Sequence, residues 1–189
     1  QATDNDLFKV ASIHKQQFPT HFLGKYSVRL LSAYYKAFLD NSIFLVSRDN
    51  DEVNGFVVGG FASNLSCGRR DFLTQNKVLY ITETILRPNT YLGVLSRLKS
   101  VASSMQKTKG SNSVTDEIFI LSIAVDKNYM GKGIAQELCH AFEESIKPDA
   151  SEYGLYVRCD NKRAVKFYEK MGFKVNKQVG DEFYLTKRI

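Results

Sequence analysis

The chain has 189 residues, 43% hydrophobic and 24% charged, with 12 glycines and three prolines; this composition excludes intrinsic disorder and a collagen-like fibre. Its longest apolar runs, such as residues 118–121, fall far short of the ~20 residues of a membrane-spanning helix, and one domain of this length buries about 70% of its unfolded surface. The net charge of +6 is concentrated in residues 68–109, where Arg69, Arg70, Lys77, Arg87, Arg97, Lys99, Lys107 and Lys109 are opposed only by Asp71 and Glu83. Such a segment suits nucleic acid, anionic lipid or a polyanionic small molecule, and composition alone does not choose among them.

Asp4, Asn5 and Asp6, followed by Leu7, Val10, Ala11 and His14, predict a capped helix with one apolar face that ends near Phe18 and Pro19. A second helix is expected over residues 25–40, with Leu30, Leu31, Tyr34, Ala37 and Phe38 on its apolar side. Residues 43–48 and 53–62 read as strands joined by a hairpin turn at Asp49, Asn50 and Asp51. The basic stretch that follows is helical in composition and is expected to divide near Pro88. A low-complexity loop covers residues 107–113.

Residues 118–125 are almost wholly apolar, the pattern of a central strand covered on both faces. Gly131-Lys132-Gly133 then opens a helix with core positions Ile134, Leu138, Phe142 and Ile146, stopped by Pro148. Residues 153–159 form another strand, and residues 161–171 a helix closed by Gly172. A hairpin around Gly180 and Asp181 ends the chain. Strands and helices in this order give an α/β (mixed α+β) domain around a central mixed, twisted sheet.

Cys67, Cys139 and Cys159 are odd in number, widely spaced and lack a C-x-x-C pairing. They read as three thiols in a reducing compartment, with no zinc site, and cytoplasm is the default location. The start at Gln1 reads as the trace of removed upstream residues, and a cleaved leader would leave the same trace.

Chemistry points to the join between the central strand and the helix after it. Two glycines one residue apart let the backbone approach a bound group, and the first free N–H groups of the helix face an anion such as a pyrophosphate. A dinucleotide fingerprint fails because Gln136 stands at the third glycine position, and a P-loop fails for want of G-K-[ST]. The run from Leu121 to Ala135 resembles motif A of the GNAT superfamily of acyl-CoA-dependent N-acetyltransferases, and the run from Asn161 to Phe173 resembles its motif B. Residues 1–7 are similar to the point where that fold's first strand enters its first helix, so most of that strand is expected upstream. The resemblance implies a single domain over residues 1–189, with a helical insertion at about 65–113 between the family's third and fourth strands.

It also implies acetyl-CoA as cosubstrate, without a metal, held by Ile123, Ala124, Val125, Asn128, Gly131, Lys132, Gly133, Ile134, Ala135, Asn161 and Tyr168. Asn128 departs from the usual Arg or Gln of motif A; it still donates an amide, and Lys127 and Lys132 compensate near the phosphates. The Val125 N–H would stabilise charge on the thioester carbonyl, and Tyr168 would protonate the leaving thiolate. Relatives place a general base at positions matching Phe119 or Leu121, which cannot accept protons. Glu117 shares the face of Phe119 by strand alternation, while Glu83 or a water chain stays open. His14, His21 and His140 read as structural or exposed.

The expected activity is acetyl transfer from acetyl-CoA to a primary amine of a small molecule, an amino sugar or nucleotide-linked amino sugar being attractive because of the basic insertion. The alternatives are a protein or peptide amine acetyltransferase and a non-catalytic module that binds CoA or uses its basic surface. No nucleic-acid partner is expected, peripheral membrane contact through residues 68–109 stays open, and so does a homodimer. Phe72, Leu73, Leu79, Ile85, Leu86, Leu92, Leu95 and Leu98 are expected to dock the insertion on the domain as one wall of the acceptor pocket.

Overall fold

One mixed sheet organises the computed structural model, which describes residues 1–86 and 117–189. In chain order the elements are α1 (Leu7–Gln17), α2 (Val28–Lys36), β1 (Ile43–Asp49), β2 (Glu52–Phe61), α3 (Ala62–Gln75), α4 (Lys77–Ile85), β3 (Ile118–Val125), α5 (Ile134–Ile146), β4 (Glu152–Arg158), α6 (Lys162–Lys170), β5 (Lys174–Val179) and β6 (Glu182–Arg188). The strand order is β1-β2-β3-β4-β6-β5. Every described pair is antiparallel except β3 with β4, which is parallel. At the β1 edge, the Ala2 N–H donates to the Phe44 carbonyl at 2.8 Å, laying the first residues alongside the sheet.

The β1–β2 turn follows its residues. Asn50 and Asp51 both take positive φ, 47° and 67°, the left-handed pair that a two-residue hairpin requires and that Asn and Asp tolerate. The Asp6 carboxylate accepts from the Thr3 N–H at 2.7 Å, the Thr3 hydroxyl at 2.8 Å and the Arg48 guanidinium at 2.8 Å. These bonds tie the start of α1 to β1, and together they hold the carboxyl below the usual range against the opposing effect of burial.

Two apolar layers sandwich the sheet. On one side, α1 and α2 pack Leu7, Val10, Ile13, Leu30 and Tyr35 against Phe44, Phe56 and Val58. On the other, α5 and α6 pack Ile134, Leu138, Phe142, Ile146, Val165 and Tyr168 against Val57, Ile120, Leu155 and Leu185. Glycine at 59 admits Phe142: a Cβ there would lie 2.8 Å from the Phe142 ring. The Glu143 carboxylate beneath this layer accepts from Tyr153 at 2.6 Å and from Lys187 at 2.5 Å, so a buried charge is fully paired.

Three expectations are corrected. The second helix starts at Val28, capped by Ser27, whose Oγ accepts the Leu30 N–H at 3.1 Å; it ends at Lys36, where the Phe38 N–H turns back to Tyr35 in a tighter bond. The segment after β2 is helical from Ala62, and its break falls at Asn76, whose side chain bonds back to the Phe72 carbonyl at 3.2 Å; the expected division at Pro88 and the loop at 107–113 lie outside the described residues. Of the apolar residues expected to dock this segment, Phe72 is buried and Leu79 half-buried, but Leu73, Ile85 and Leu86 are exposed, and Leu92, Leu95 and Leu98 lie outside the described residues.

Phe142 is fully buried, so Phe142→Ala should destabilise the fold by about 3–5 kcal/mol. Urea denaturation should show a lower midpoint with an unchanged slope. An unchanged midpoint would mean that α5 packs differently.

Candidate functional site

β3 and β4 part early. Their parallel pairing covers only Phe119↔Gly154 and Ile120↔Leu155. A bulge falls at the same place: Val58 faces Ser122 and Gly59 faces Ile120, so Leu121 is the extra residue. The Asp126 N–H donates to the Asn54 carbonyl at 2.8 Å. By antiparallel alternation the backbone groups of Ala124 then also face β2, while those of Ile123 and Val125 face the gap toward β4. Ala124 is thus set apart from its two neighbours, and its side chain packs on the α1/α2 side.

The glycine turn lies where the gap widens. Asp126 caps a short 3-10 turn over Lys127–Tyr129, accepting the Asn128 N–H at 3.0 Å, and the Lys127 N–H donates to Gln16 of α1 at 2.8 Å. Gly131 and Gly133 have φ of 81° and 87°, a conformation that disfavours any other residue. A Cβ at Gly131 would meet nothing within 4 Å, so the turn needs glycine for its backbone and leaves open space beside it. Among the described residues the N–H groups of Gly131, Gly133, Ile134 and Ala135 have no acceptor. Four unmatched donors at the N-terminus of a 13-residue helix form an electropositive cradle. Asn128, Lys127 and Lys132 are exposed around it, with the Lys132 ammonium 4.6 Å from the Tyr129 ring centroid.

Tyr168 of α6 lies on the same side of the sheet, in one cluster with Ile134, Ile123 and Val125. Burial pushes its phenol well above the ordinary value, which keeps it protonated and able to donate. Asn161 caps α6, its Oδ1 accepting the Ala164 N–H at 3.1 Å. Glu117 stands exposed at the start of β3 on the opposite face, where its charge helps raise the Tyr184 and Tyr156 phenols after the larger effect of burial. Acid and base candidates therefore lie on opposite sides of the sheet. Glu83 is committed elsewhere: its carboxylate accepts from the N–H and hydroxyl of Ser27, capping α2, and the neighbouring Thr84 is 3.0 Å from the Tyr26 hydroxyl.

Nothing in the local residue pattern signals the bulge, because every residue around Leu121 is apolar or small. Nor did it reveal a buried hydrogen-bonded chain running from α1 to β3. His14 Nδ1 lies 2.6 Å from the Tyr35 hydroxyl, which donates to Ser122 Oγ at 3.1 Å. His14 Nδ1–H is then the donor to Tyr35, and Nε2 is left buried without a partner. His140 is exposed, 3.4 Å from Glu143, and Cys67, Cys139 and Cys159 are free thiols. Among the described residues no helix is long and apolar enough to cross a membrane.

Comparison with known proteins places these features in context. Residues 8–173 match the acetyltransferase (GNAT) family. Over 77 residues the chain is 40% identical to an N-alpha-acetyltransferase of Saccharolobus solfataricus, a match covering 36% of this chain and 46% of that relative, so less than half of its length is spanned. Among solved structures, an N-acetyltransferase from Staphylococcus aureus Mu50 is similar with a TM-score of 0.62 at 17% identity, covering 98% of this chain and 96% of that one. A PaiA N-acetyltransferase from Thermoplasma acidophilum, in complex with coenzyme A, has a TM-score of 0.58 at 15% identity, covering 100% and 96%. At these identities the structures establish the fold alone.

Burial, with help from His21 and Lys15, depresses the His14 imidazole from 6.5 to about 3. The unfolded chain takes up this proton first, so stability is full above about pH 6.5 and falls as pH drops toward 3. The slope approaches ~1.4 kcal/mol per pH unit. Chemical denaturation from pH 7 to 4.5 should show this loss, and His14→Gln should flatten it. An equal slope in both proteins would place the titration elsewhere.

Proposed function

The chain belongs to the acetyltransferase (GNAT) family, and on that premise we propose that it moves an acetyl group from acetyl-CoA to the primary amine of a small molecule, by direct transfer in a ternary complex. The observation that carries this reading is the set of four unmatched N–H donors at the start of α5, opening beside the gap between β3 and β4. Gly131, Lys132, Gly133, Ile134 and Ala135 are suited to hold the pyrophosphate of the cosubstrate. The exposed Asn128, Lys127 and Lys132 add donors and charge around it. Ile123 and Val125 present backbone groups along the gap for the pantetheine arm, and Asn161 flanks it at the start of α6.

An alkylammonium has an ordinary pKa of ~10.4 and attacks only after losing a proton. Glu117 takes that proton on the acceptor side, directly or through water. The nitrogen forms its bond to the acetyl carbon and releases its second proton to water, while the Val125 N–H faces the carbonyl oxygen as negative charge builds there. As the carbon–sulfur bond breaks, Tyr168 gives its proton to the thiolate and is reprotonated from solvent.

Two acceptor classes remain in view. The basic residues of the 68–109 segment favour an anionic amine, such as a nucleotide-linked amino sugar, with that segment as one wall of the pocket. Of these bases, Arg69 and Arg70 are exposed on α3, Lys77 begins α4, and the rest lie outside the described residues. The second reading, a peptide amine, is favoured by the name of the 40% identical relative, an N-alpha-acetyltransferase.

Gly133→Val forces a β-branched residue to positive φ and turns the α5 donors away. Calorimetry should show acetyl-CoA binding weakened at least tenfold in a variant that circular dichroism finds folded; unchanged affinity would move the cosubstrate elsewhere. A thiol-release assay across amino sugars, polyamines, amino acids and short peptides identifies the acceptor class. In that assay Tyr168→Phe should lower kcat about 10²-fold with little change in the KM for acetyl-CoA. Wild-type turnover at every pH, with chemistry rate-limiting, would remove Tyr168 as the acid.

A further inference from the structure

Strand β3 has an apolar layer on each side, and Ser122 is its only polar residue. Such a strand has no hydrophobic preference for one face, so side-chain burial alone does not fix its register. Over residues 118–120 the pairing with β2 is regular. Continued without a bulge, it would set Leu121 opposite Val58, Ser122 opposite Val57 and Ala124 opposite Gly55. The observed strand instead sets Ser122 opposite Val58 and Ala124 opposite Phe56. From Ser122 onward, every side chain and backbone group faces the opposite way from the one a regular ladder would give.

What meets Ser122 in the bulged register is the Tyr35 hydroxyl of α2, which donates to its Oγ at 3.1 Å. Tyr35 is fully buried, its ring centroid 5.2 Å from that of Phe56 and 5.8 Å from that of Phe44. Burial keeps its phenol protonated. His14 Nδ1 lies 2.6 Å from the same hydroxyl. By donating its own N–H there, His14 leaves Tyr35 to give its proton to Ser122. In the regular register the Ser122 side chain would point into the α5 layer, and the Tyr35 hydroxyl would be buried without that acceptor, which is costly.

We propose that Tyr35, oriented by His14, and Ser122 are positioning residues: their bond holds the bulge at Leu121 and so decides which backbone groups of β3 face the gap. In the bulged register these are the groups of Ile123 and Val125, while Ala124 pairs with β2. In the regular register Ala124 would face the gap, and its two neighbours would be tied to β2. The three side chains thus act on the site through the backbone, from the layer of α1 and α2. What this does for acetyl transfer rests on the reading above, in which Ile123 and Val125 serve the cosubstrate; the choice of register does not.

Amide hydrogen exchange of the cosubstrate-free protein, read residue by residue by NMR, tests this directly. In the wild type the Ala124 amide should exchange about tenfold or more slowly than those of Ile123 and Val125. Tyr35→Phe keeps the ring and Ser122→Ala keeps the strand; each should erase or reverse that order, whereas Ser122→Thr, which retains a hydroxyl, should preserve it. Acetyl-CoA affinity by calorimetry should fall about fivefold or more in the first two and stay within about twofold of wild type in the third. The wild-type order persisting in folded Tyr35→Phe or Ser122→Ala, or its loss in Ser122→Thr, overturns the proposal. A bond of purely structural value would lower stability without changing which amides are paired. A lost order with unchanged acetyl-CoA affinity upholds the control of register and removes Ile123 and Val125 as cosubstrate contacts instead.

Discussion

The early parting of β3 and β4 is the constraint on which the rest depends. A parallel ladder that continued past Ile120↔Leu155 would satisfy the backbone groups of Ile123 and Val125 and close the sheet. Instead the bulge at Leu121 re-aims the strand, and the helix after it starts beside open space rather than against a neighbour. The candidate site is made from secondary structure left unfinished, with a strand edge and a helix start that lack partners among the described residues. Both are supported from below by the layer of Phe142, Leu138 and Leu155, so this opening does not cost the fold its order.

The sheet also separates the chemistry. One face carries the α5 donors and Tyr168, whose phenol burial keeps protonated; the other carries Glu117 beside the Phe119, Tyr156 and Tyr184 rings. In a direct transfer, the proton taken from nitrogen and the proton given to sulfur belong to different sides of the reacting carbon. On the proposed reading, Tyr168 as acid and Glu117 as base would meet that requirement from opposite faces of the sheet.

Helices α3 and α4 brace the loop between α1 and α2. Glu83 caps α2 through Ser27, and Thr84 meets Tyr26, whose ring lies 5.5 Å from that of Tyr80. The Glu83 carboxylate thereby holds the residue that caps α2, accepting from both its N–H and its hydroxyl. Gly68 packs so closely on Phe38 that a Cβ there would lie 2.8 Å from the ring, fixing α3 against the end of α2.

Residues whose structure follows from their own conformational preferences were legible in the sequence. The Asn50-Asp51 turn, the glycine pair before α5, the stop at Gly172 and the apolar run of β3 all fell where local chemistry put them. With them came the family resemblance, since its motifs are these same local features. What the tertiary structure alone decided depends on partners distant in the chain. The bulge at Leu121 arises from register with β2; the His14–Tyr35–Ser122 chain joins α1, α2 and β3; and the break at Asn76 is fixed by its bond back to Phe72. Tyr156 reads in sequence as one strand tyrosine among ten. Only the pairing of β4 with β3 on one side and β6 on the other sets it, half-exposed, where the two parallel strands separate.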